Sequence, residues 1–543
     1  MIETHAASAY SYPLLIKQLW HSSLASNSDQ EIVSGFDKRF SYAEIYARIG
    51  KLAAGLASAG VKPGDTVAVM DWDNHRYFEC FFAVPMMGAV LHTVNVRLSP
   101  EQILYTINHA EDDVILLHHD FVPIIDQIRD RIEGNTRFIF LKDVATAVQP
   151  DWCAHSYDAL MAAAAEPFDF IDFDENTIAT TFYTTGTTGD PKAVFYSHRQ
   201  LVLHSMGVVA GMGANDSSCR FHRGDVYMPI TPMFHVHAWG FPYAATLMGV
   251  KQVYPGRYEP ALLVKLLQQE AVTFSHCVPT ILHMLLTVAE AEDIQFNGWK
   301  VIIGGAAFPL GMVQAAANRG INAFTAYGMS ETCPVITFAD MQGCDSIEPG
   351  SDLSPRCKTG KATMMVDLRV VDNAMQDVPR GGKVSGEVVV RAPWLTQGYA
   401  GNPEGSEELW RGGYLHTGDV GYIDEGGSLH ITDRIKDVIK SGGEWISSLA
   451  LEDVASRAAS VAEVAAFGIP DAQWGERPML VIVAKEGTDA EVVKAEVCDL
   501  LQREIDAGVF EKWAMPQRIE LVDAIPKTSV GKLDKKVMRL SYQ

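Results

Sequence analysis

No CxxC pair occurs among the eight cysteines, Cys80, Cys153, Cys219, Cys277, Cys333, Cys344, Cys357 and Cys498. Their scatter argues against a paired-thiolate zinc site and against a disulfide framework, and it fits reduced thiols in a cytoplasmic protein. The N-terminus lacks a basic stretch followed by an apolar core, so no signal peptide is expected. Long apolar runs are missing too. The longest, Phe81–Leu91, covers about 11 residues and contains Pro85, too short to span a bilayer and suited to a buried core. Positive charge is scarce, with 44 Lys and Arg against 67 Asp and Glu and a net charge of −23. That argues against general nucleic-acid binding and gives no long-range attraction for anions. A phosphate site must therefore be made locally. Internal repeats and low-complexity tracts are absent as well.

What is present is an ordinary large chain of 543 residues, 48% hydrophobic and 20% charged, long enough for two or more domains. Residues 1–175 alternate helical and strand patterns: a helix over Tyr42–Ala59, a strand over Val67–Met70, a helix over Glu101–His109, a strand over Val114–Leu117 and a helix over Ile124–Ile132. Val144–Pro167 is weakly patterned and reads as an irregular connection. The alternation resumes with helices over Pro260–Glu270, Thr280–Glu290 and Leu310–Asn318 and strands over Thr273–His276, Val301–Ile303 and Ala323–Ala326. From Gly360 to Val390 short strands and Gly/Pro turns suggest a small β subdomain. Beyond Asp433–Ser441 lie a helix (Ser447–Ala458), strands (Ala462–Gly468, Met479–Ala484), a helix (Glu491–Ile505) and a strand (Arg518–Val522). The fold class is therefore α/β: layered α/β subdomains plus a small β subdomain over 1–433, a hinge at 434–437, and a small mobile α+β domain over 438–543.

The stretch YTTGTTGDPK (Tyr183–Lys192) joins two β-branched runs and so forms a loop between predicted strands. Gly186 and Gly189 let the backbone approach a ligand. Thr184, Thr185, Thr187 and Thr188 offer hydroxyls, and Lys192 a positive charge. A triphosphate needs that combination; composition alone equally fits a surface loop. It is not a Walker A loop, because Lys192 is followed by Ala193 rather than Ser or Thr. Four further clusters stand out. AYGMSET (Ala326–Thr332) offers Tyr327 as a flat face for a purine, Ser330 as a hydroxyl and Glu331 as a hard carboxylate for Mg²⁺; alone it also reads as a capped strand end. YLHTGDVGYID (Tyr414–Asp424) holds Asp419, either a ribose acceptor or a turn aspartate. ITDRIKDVIKSGGEWISS (Ile431–Ser448) crowds charges ahead of Gly442-Gly443, either a solvated face or a hinge that turns at Lys436. PKTSVGKLDKKVMR (Pro526–Arg539) is either a basic tail or a loop that carries Lys532 into a site.

In this order, these five motifs resemble those of the adenylate-forming superfamily of acyl-CoA synthetases, non-ribosomal adenylation domains and luciferases. MFHVHAWGFPYA (Met233–Ala244) and KSGGEWISS (Lys440–Ser448) are most similar to medium- and long-chain fatty acyl-CoA synthetases. The resemblance covers nearly the whole chain. It implies an AMP-forming ligase that uses ATP, Mg²⁺ and coenzyme A in two steps, with rotation of the small C-terminal domain between them. It implies that Thr184–Lys192 hold the β,γ-phosphates, and that Thr184 and Glu331 take the metal. Gly305, Ala306, Thr325, Ala326 and Tyr327 line the adenine, with Ser330 and Val236 in the nucleotide site. Asp419 and Arg434 take the ribose with Lys436 and Lys440 nearby. Lys532, His235 and Glu331 are the catalytic set, Lys532 bridging charge on the carboxylate and α-phosphate while His235 borders the acyl carboxylate. Trp239 gates the acyl tunnel, and Trp445 lies on the pantetheine path. A homodimer is implied only by the resemblance.

Four positions depart from the common pattern: Ala193 replaces a frequent Gly, Asp190 sets a negative charge beside the phosphates, and Lys535-Lys536 replace a frequent Arg pair, a change expected to be neutral in exposed charge. No acidic residue follows His235 until Glu259, so an amino-acid substrate, whose buried ammonium would lack a partner, is not expected. A free apolar acid suits Trp239, Phe241, Pro242 and Tyr243, and a medium-chain fatty acid is the expected substrate. Short thioether acids such as methylthiopropionate, arylpropanoid acids, and loading of a carrier protein are the alternatives. No carrier segment follows the C-terminal domain.

Overall fold

The computed structural model describes residues 6–184, 190–344, 346–382, 384–441, 444–508, 510–528 and 532–542, without the side chains of Glu444 and Trp445. Among the described residues the strands form four sheets, of seven, nine, four and five strands. The seven-stranded sheet is parallel through its centre and ends in an antiparallel pair, Ile178–Thr184 with Lys192–Ser197, in which Thr184 faces Lys192. The nine-stranded sheet carries the parallel neighbours Val226–Pro229, Phe274–Cys277, Trp299–Ile303 and Ile321–Gly328. These strands are short, apolar and buried on both faces, as parallel strands covered by helices must be.

The helices follow the sequence pattern closely. Tyr42–Ser58 starts at a capping box, with Ser41 accepting from the Glu44 amide and the Glu44 carboxylate accepting from the Ser41 amide. Pro100–Ala110, Pro260–Gln269, Pro279–Ala291 and Leu310–Asn318 all sit where periodicity predicts helices. Phe81–Leu91 is buried as expected, split between the helix His75–Met86 and the strand Val90–Thr93. Val144–Pro167 is more regular than its pattern suggests. It holds a two-residue edge strand, His155–Ser156, and a short helix, Tyr157–Ala163, capped by the Ser156 hydroxyl. Only Tyr157 and Leu160 of that helix are buried, too few to set up a visible period.

Asp367–Val371, Gly386–Arg391, Leu415–Ile423 and Leu429–Arg434 form the small antiparallel β sheet. The C-terminal part builds its sheet from Ile439–Ser441, Glu444–Ile446, Val461–Asp471, Gly475–Ala484 and Arg518–Leu521, covered by Ser448–Ser456, Ala490–Asp506 and Lys535–Ser541. Two buried clusters, around Leu451, Leu480 and Val497 and around Phe467, Met479 and Met538, lie wholly inside this part. The architecture is thus a large α/β N-terminal domain with a smaller C-terminal one. All eight cysteines are free. Among the described residues no helix is long and apolar enough to cross a membrane.

Candidate active site

In open α/β sheets ligands bind beyond the carboxyl ends of the strands, and four such ends meet here. Ile178–Thr184 ends at Thr184, Trp299–Ile303 runs into Gly304-Gly305-Ala306, Ile321–Gly328 ends on Thr325, Ala326 and Tyr327, and Val226–Pro229 leads to Phe234-His235. They open on one cleft of about 2670 Å³, well beyond the few hundred Å³ that a single small ligand fills. Thr184, Lys192, His235, Val236, Trp239, Gly305, Ala306, Thr325, Ala326, Tyr327, Ser330, Glu331, Asp419, Arg434, Lys436 and Lys532 all line it. Thr185, Gly186, Thr187, Thr188 and Gly189 lie outside the described residues. Lys440 sits on Ile439–Ser441, paired with Trp445, and is not among the described residues lining the cleft. Asp190 is exposed.

Lys532 is the decisive group. A Cβ placed on Gly305 would stand 3.0 Å from Lys532 Cε and 3.5 Å from its Nζ, so a lysine near the chain's end lies directly on the glycine turn of the nine-stranded sheet. Gly305 has φ +81°, a conformation that glycine adopts without penalty. Main-chain contacts fix Lys532: its amide donates to Thr528 Oγ1 at 3.2 Å, and the Thr528 amide donates to its carbonyl at 2.7 Å. Burial first and then the Arg434 charge pull the ammonium down to about 8, while Asp419 and Glu331 hold it up.

Asp419 and Arg434 face each other across the strand pair Leu415–Ile423 and Leu429–Arg434. Arg434 Nε donates to Asp419 Oδ1 at 3.0 Å, and Tyr327 Oη donates to Oδ2 at 2.6 Å. The carboxylate is thereby aimed with spare lone pairs left for a diol. Glu331 is buried, which raises its pKa, and a hydrogen bond from Tyr399 Oη at 2.8 Å acts the other way. Lys192 Nζ lies 4.5 Å from the centre of the same Tyr399 ring. Tyr399 thus ties the loop lysine to the carboxylate. Nothing local in the sequence marks it, because its neighbours, Gly398 and Ala400, carry no charge.

At the Phe234-His235 end of the cleft, burial first and then the charges of Lys532 and Arg97 push His235 down to about 3, so its ring stays neutral. Val236, His237, Ala238 and Trp239 have φ of 48°, 56°, 48° and 57°. Four consecutive left-handed residues cost about 1–2 kcal/mol each, so the turn exists only because its surroundings hold it. Buried Asp73 is one such hold, accepting from the Met233 amide at 2.9 Å. The turn lays the Trp239 indole on His276, with ring centroids 4.9 Å apart, and against Gly304. Trp239 is therefore both packed, at 6% exposure, and part of the cleft wall.

Residues 20–400 match the family profile described as AMP-binding enzyme, and residues 450–532 match AMP-binding enzyme C-terminal domain. The chain belongs to the AMP-binding enzyme family. It is 39% identical over 524 residues to the long-chain-fatty-acid–CoA ligase of Thermus thermophilus, across 95% of this chain and 93% of that protein. It is 36% identical to the 3-methylmercaptopropionyl-CoA ligase of Ruegeria pomeroyi, across 98% of each. Of solved structures, ATP-bound MatB from Rhodopseudomonas palustris shares the fold with a TM-score of 0.81 at 25% identity, over 96% of this chain and 98% of that one. The ligase class implied by the five motifs is borne out.

Asp419→Ala in this AMP-binding enzyme should weaken AMP binding about 10- to 100-fold, as expected for losing charge-assisted hydrogen bonds of about 1.5–3 kcal/mol. Titration calorimetry with AMP reads this directly.

Proposed function

We propose that this ligase converts a free medium-chain fatty acid to its CoA thioester through an acyl-adenylate, releasing pyrophosphate and then AMP. The observation that carries the reading is Lys532 lying on Gly305 in the cleft that also holds Glu331, Asp419 and Arg434. The acid's carboxylate attacks the α-phosphorus of ATP, and Lys532 binds the charge that builds between them. Lys192 and the threonine loop hold the β,γ-phosphates, Tyr327 packs on the adenine, and Asp419 accepts the ribose hydroxyls. Neutral His235 borders the carboxylate and does not compete with it for protons. Thr184 and Glu331, which both line the cleft, offer hard oxygens of the kind that suits Mg²⁺, which binds through one or two such groups plus phosphates. When bound, the ion would neutralise phosphate charge. Such chemistry depends on positioning and charge neutralisation more than on covalent help from the protein.

The domain assignment belongs to the same reading: an N-terminal domain over 1–433, a joint at 434–437 and a C-terminal domain over 438–543. Ile435–Asp437 form a turn. Rotation there would withdraw Lys532 and bring Lys440 and Trp445 round for coenzyme A. A homodimer and a cytoplasmic location complete it.

A second reading, a short-chain acid ligase, rests on Trp239. Its indole lies over Gly304, where a bulky ring in the cleft wall leaves less room for a long chain. The name of the 36% identical relative points the same way.

A screen of straight-chain and thioether acids for AMP formation, with coenzyme A or a holo-carrier protein as acceptor, tests the proposal. A maximum at medium chain length with coenzyme A is expected; acyl transfer only to the carrier would refute it. Lys532→Ala should slow adenylation by about 10²–10³-fold and leave thioester formation from supplied acyl-adenylate intact. The ammonium is present below about 8 and lost above it. In the wild-type enzyme, kcat/KM for adenylation should therefore fall as pH rises through that value, because this ratio reports groups of the free enzyme. Trp239→Ala should move the chain-length optimum upward, read as the ratio of kcat/KM for long and short acids.

A further inference from the structure

The charge at Lys535 does not behave as a solvated tail. Lys535 is 9% exposed, against the expectation of neutral, exposed charge at this pair; its neighbour Lys536 is exposed. The Lys535 Nζ donates to Ser448 Oγ at 2.7 Å and pairs with Glu452 Oε1 at 2.7 Å. Ser448 in turn gives both its hydrogens to Asp433, the hydroxyl to Oδ1 at 3.0 Å and the amide to Oδ2 at 2.5 Å. Asp433 is buried at 1% exposure. Beside it Ser447 Oγ donates to the Thr432 carbonyl. The result is a buried relay, Asp433 to Ser448 to Lys535 to Glu452.

The relay crosses the joint. Asp433 stands on the strand Leu429–Arg434 of the small β sheet, immediately before Arg434, whose guanidinium holds Asp419. Ser448, Glu452 and Lys535 all belong to the C-terminal unit, and Lys535 lies three residues beyond Lys532. One turn along the same short helix, Arg539 pairs with Asp437 at 3.1 Å, inside the joint. A large rotation about 434–437 would carry Ser448 and Lys535 away from Asp433, which stays with the small β sheet, so the relay favours the pose in which it forms. That pose is the one with Lys532 over Gly305.

We infer that Lys535 is a positioning residue for adenylation: through Ser448 and Asp433 it clamps the C-terminal unit to the strand that carries Arg434, and so holds Lys532 on Gly305. This deepens the proposed function and rests on its two-step reading. A buried charge network of this kind is lost almost entirely when one partner is removed, because the other charges are left unpaired. A misplacement of about 1 Å at a reacting group costs on the order of 100-fold in rate. The clamp therefore acts on the first half-reaction, whereas the second requires its release.

The test uses the full-length protein and three variants. Lys535→Met should lower acyl-adenylate formation by about 100-fold, while thioester formation from supplied acyl-adenylate and coenzyme A stays within about threefold of wild type. Ser448→Ala, which cuts the relay but leaves the Lys535–Glu452 pair, should show the same split to a smaller extent. Lys535→Arg should restore adenylation. In parallel, trypsin cleavage at Arg434 and Lys436 without substrate should become at least about fivefold faster in Lys535→Met, since local opening governs such cleavage. Equal loss of both half-reactions, or an unchanged cleavage rate, overturns the inference. The proteolysis needs no acid, so it judges the clamp separately from the substrate assignment.

Discussion

The whole architecture turns on one arrangement: an ammonium from near the end of the chain resting on a glycine turn at the carboxyl end of an interior strand more than two hundred residues earlier. Little else in the molecule favours it. With a net charge of −23 the chain attracts no anion from a distance, so cations must be delivered to the cleft one by one. Lys192 arrives on a strand end, Arg434 on an antiparallel pair, and Lys532 from the C-terminal unit. Burial and the neighbouring guanidinium pull the Lys532 pKa down, which means that its protein surroundings alone disfavour its charge. A polyphosphate reverses that balance. The site is built with an electrostatic deficit that an anionic ligand removes, and this is the property a nucleotidyl-transfer centre needs.

The acids in the cleft divide into two kinds by what holds them. Asp419 is gripped by Arg434 and Tyr327 and keeps a fixed direction. Glu331 is buried with the Tyr399 hydroxyl on one oxygen, and burial favours its neutral form. The first is suited to an invariant sugar. The second gains most when a cation reaches it, since the attraction between opposite charges, strong in a buried setting, then offsets the desolvation that otherwise favours its neutral form.

Much of this was legible before any coordinates. Helices with a clear apolar face, such as Tyr42–Ser58 and Leu310–Asn318, appear within a residue or two of their periodicity. The motif residues also converge, because strand-end glycines, acids and lysines carry local signatures that survive in a single sequence. The failures share a cause. Lys535 looks like a mobile basic tail because its partners, Ser448, Glu452 and Asp433, lie about 80 to 100 residues away. Tyr399 was missed for the same reason: its role is defined by Glu331 and Lys192, not by its neighbours. Lys440 sits on a hairpin and is not among the described residues lining the cleft, since a sequence motif names a residue without naming the pose in which it is used.

The acyl side shows why chain length is the hardest property to read. Trp239 owes its position to four left-handed residues in a row, a conformation that no propensity scale assigns to Val, His, Ala and Trp. What holds the turn is remote: Asp73 on the Met233 amide, and His276 and Gly304 under the indole. A turn held by its surroundings against its own preference has a second conformation available whenever those surroundings shift. Depth at this end of the cleft is thus a property of packing between segments that begin near residues 73, 233, 276 and 304.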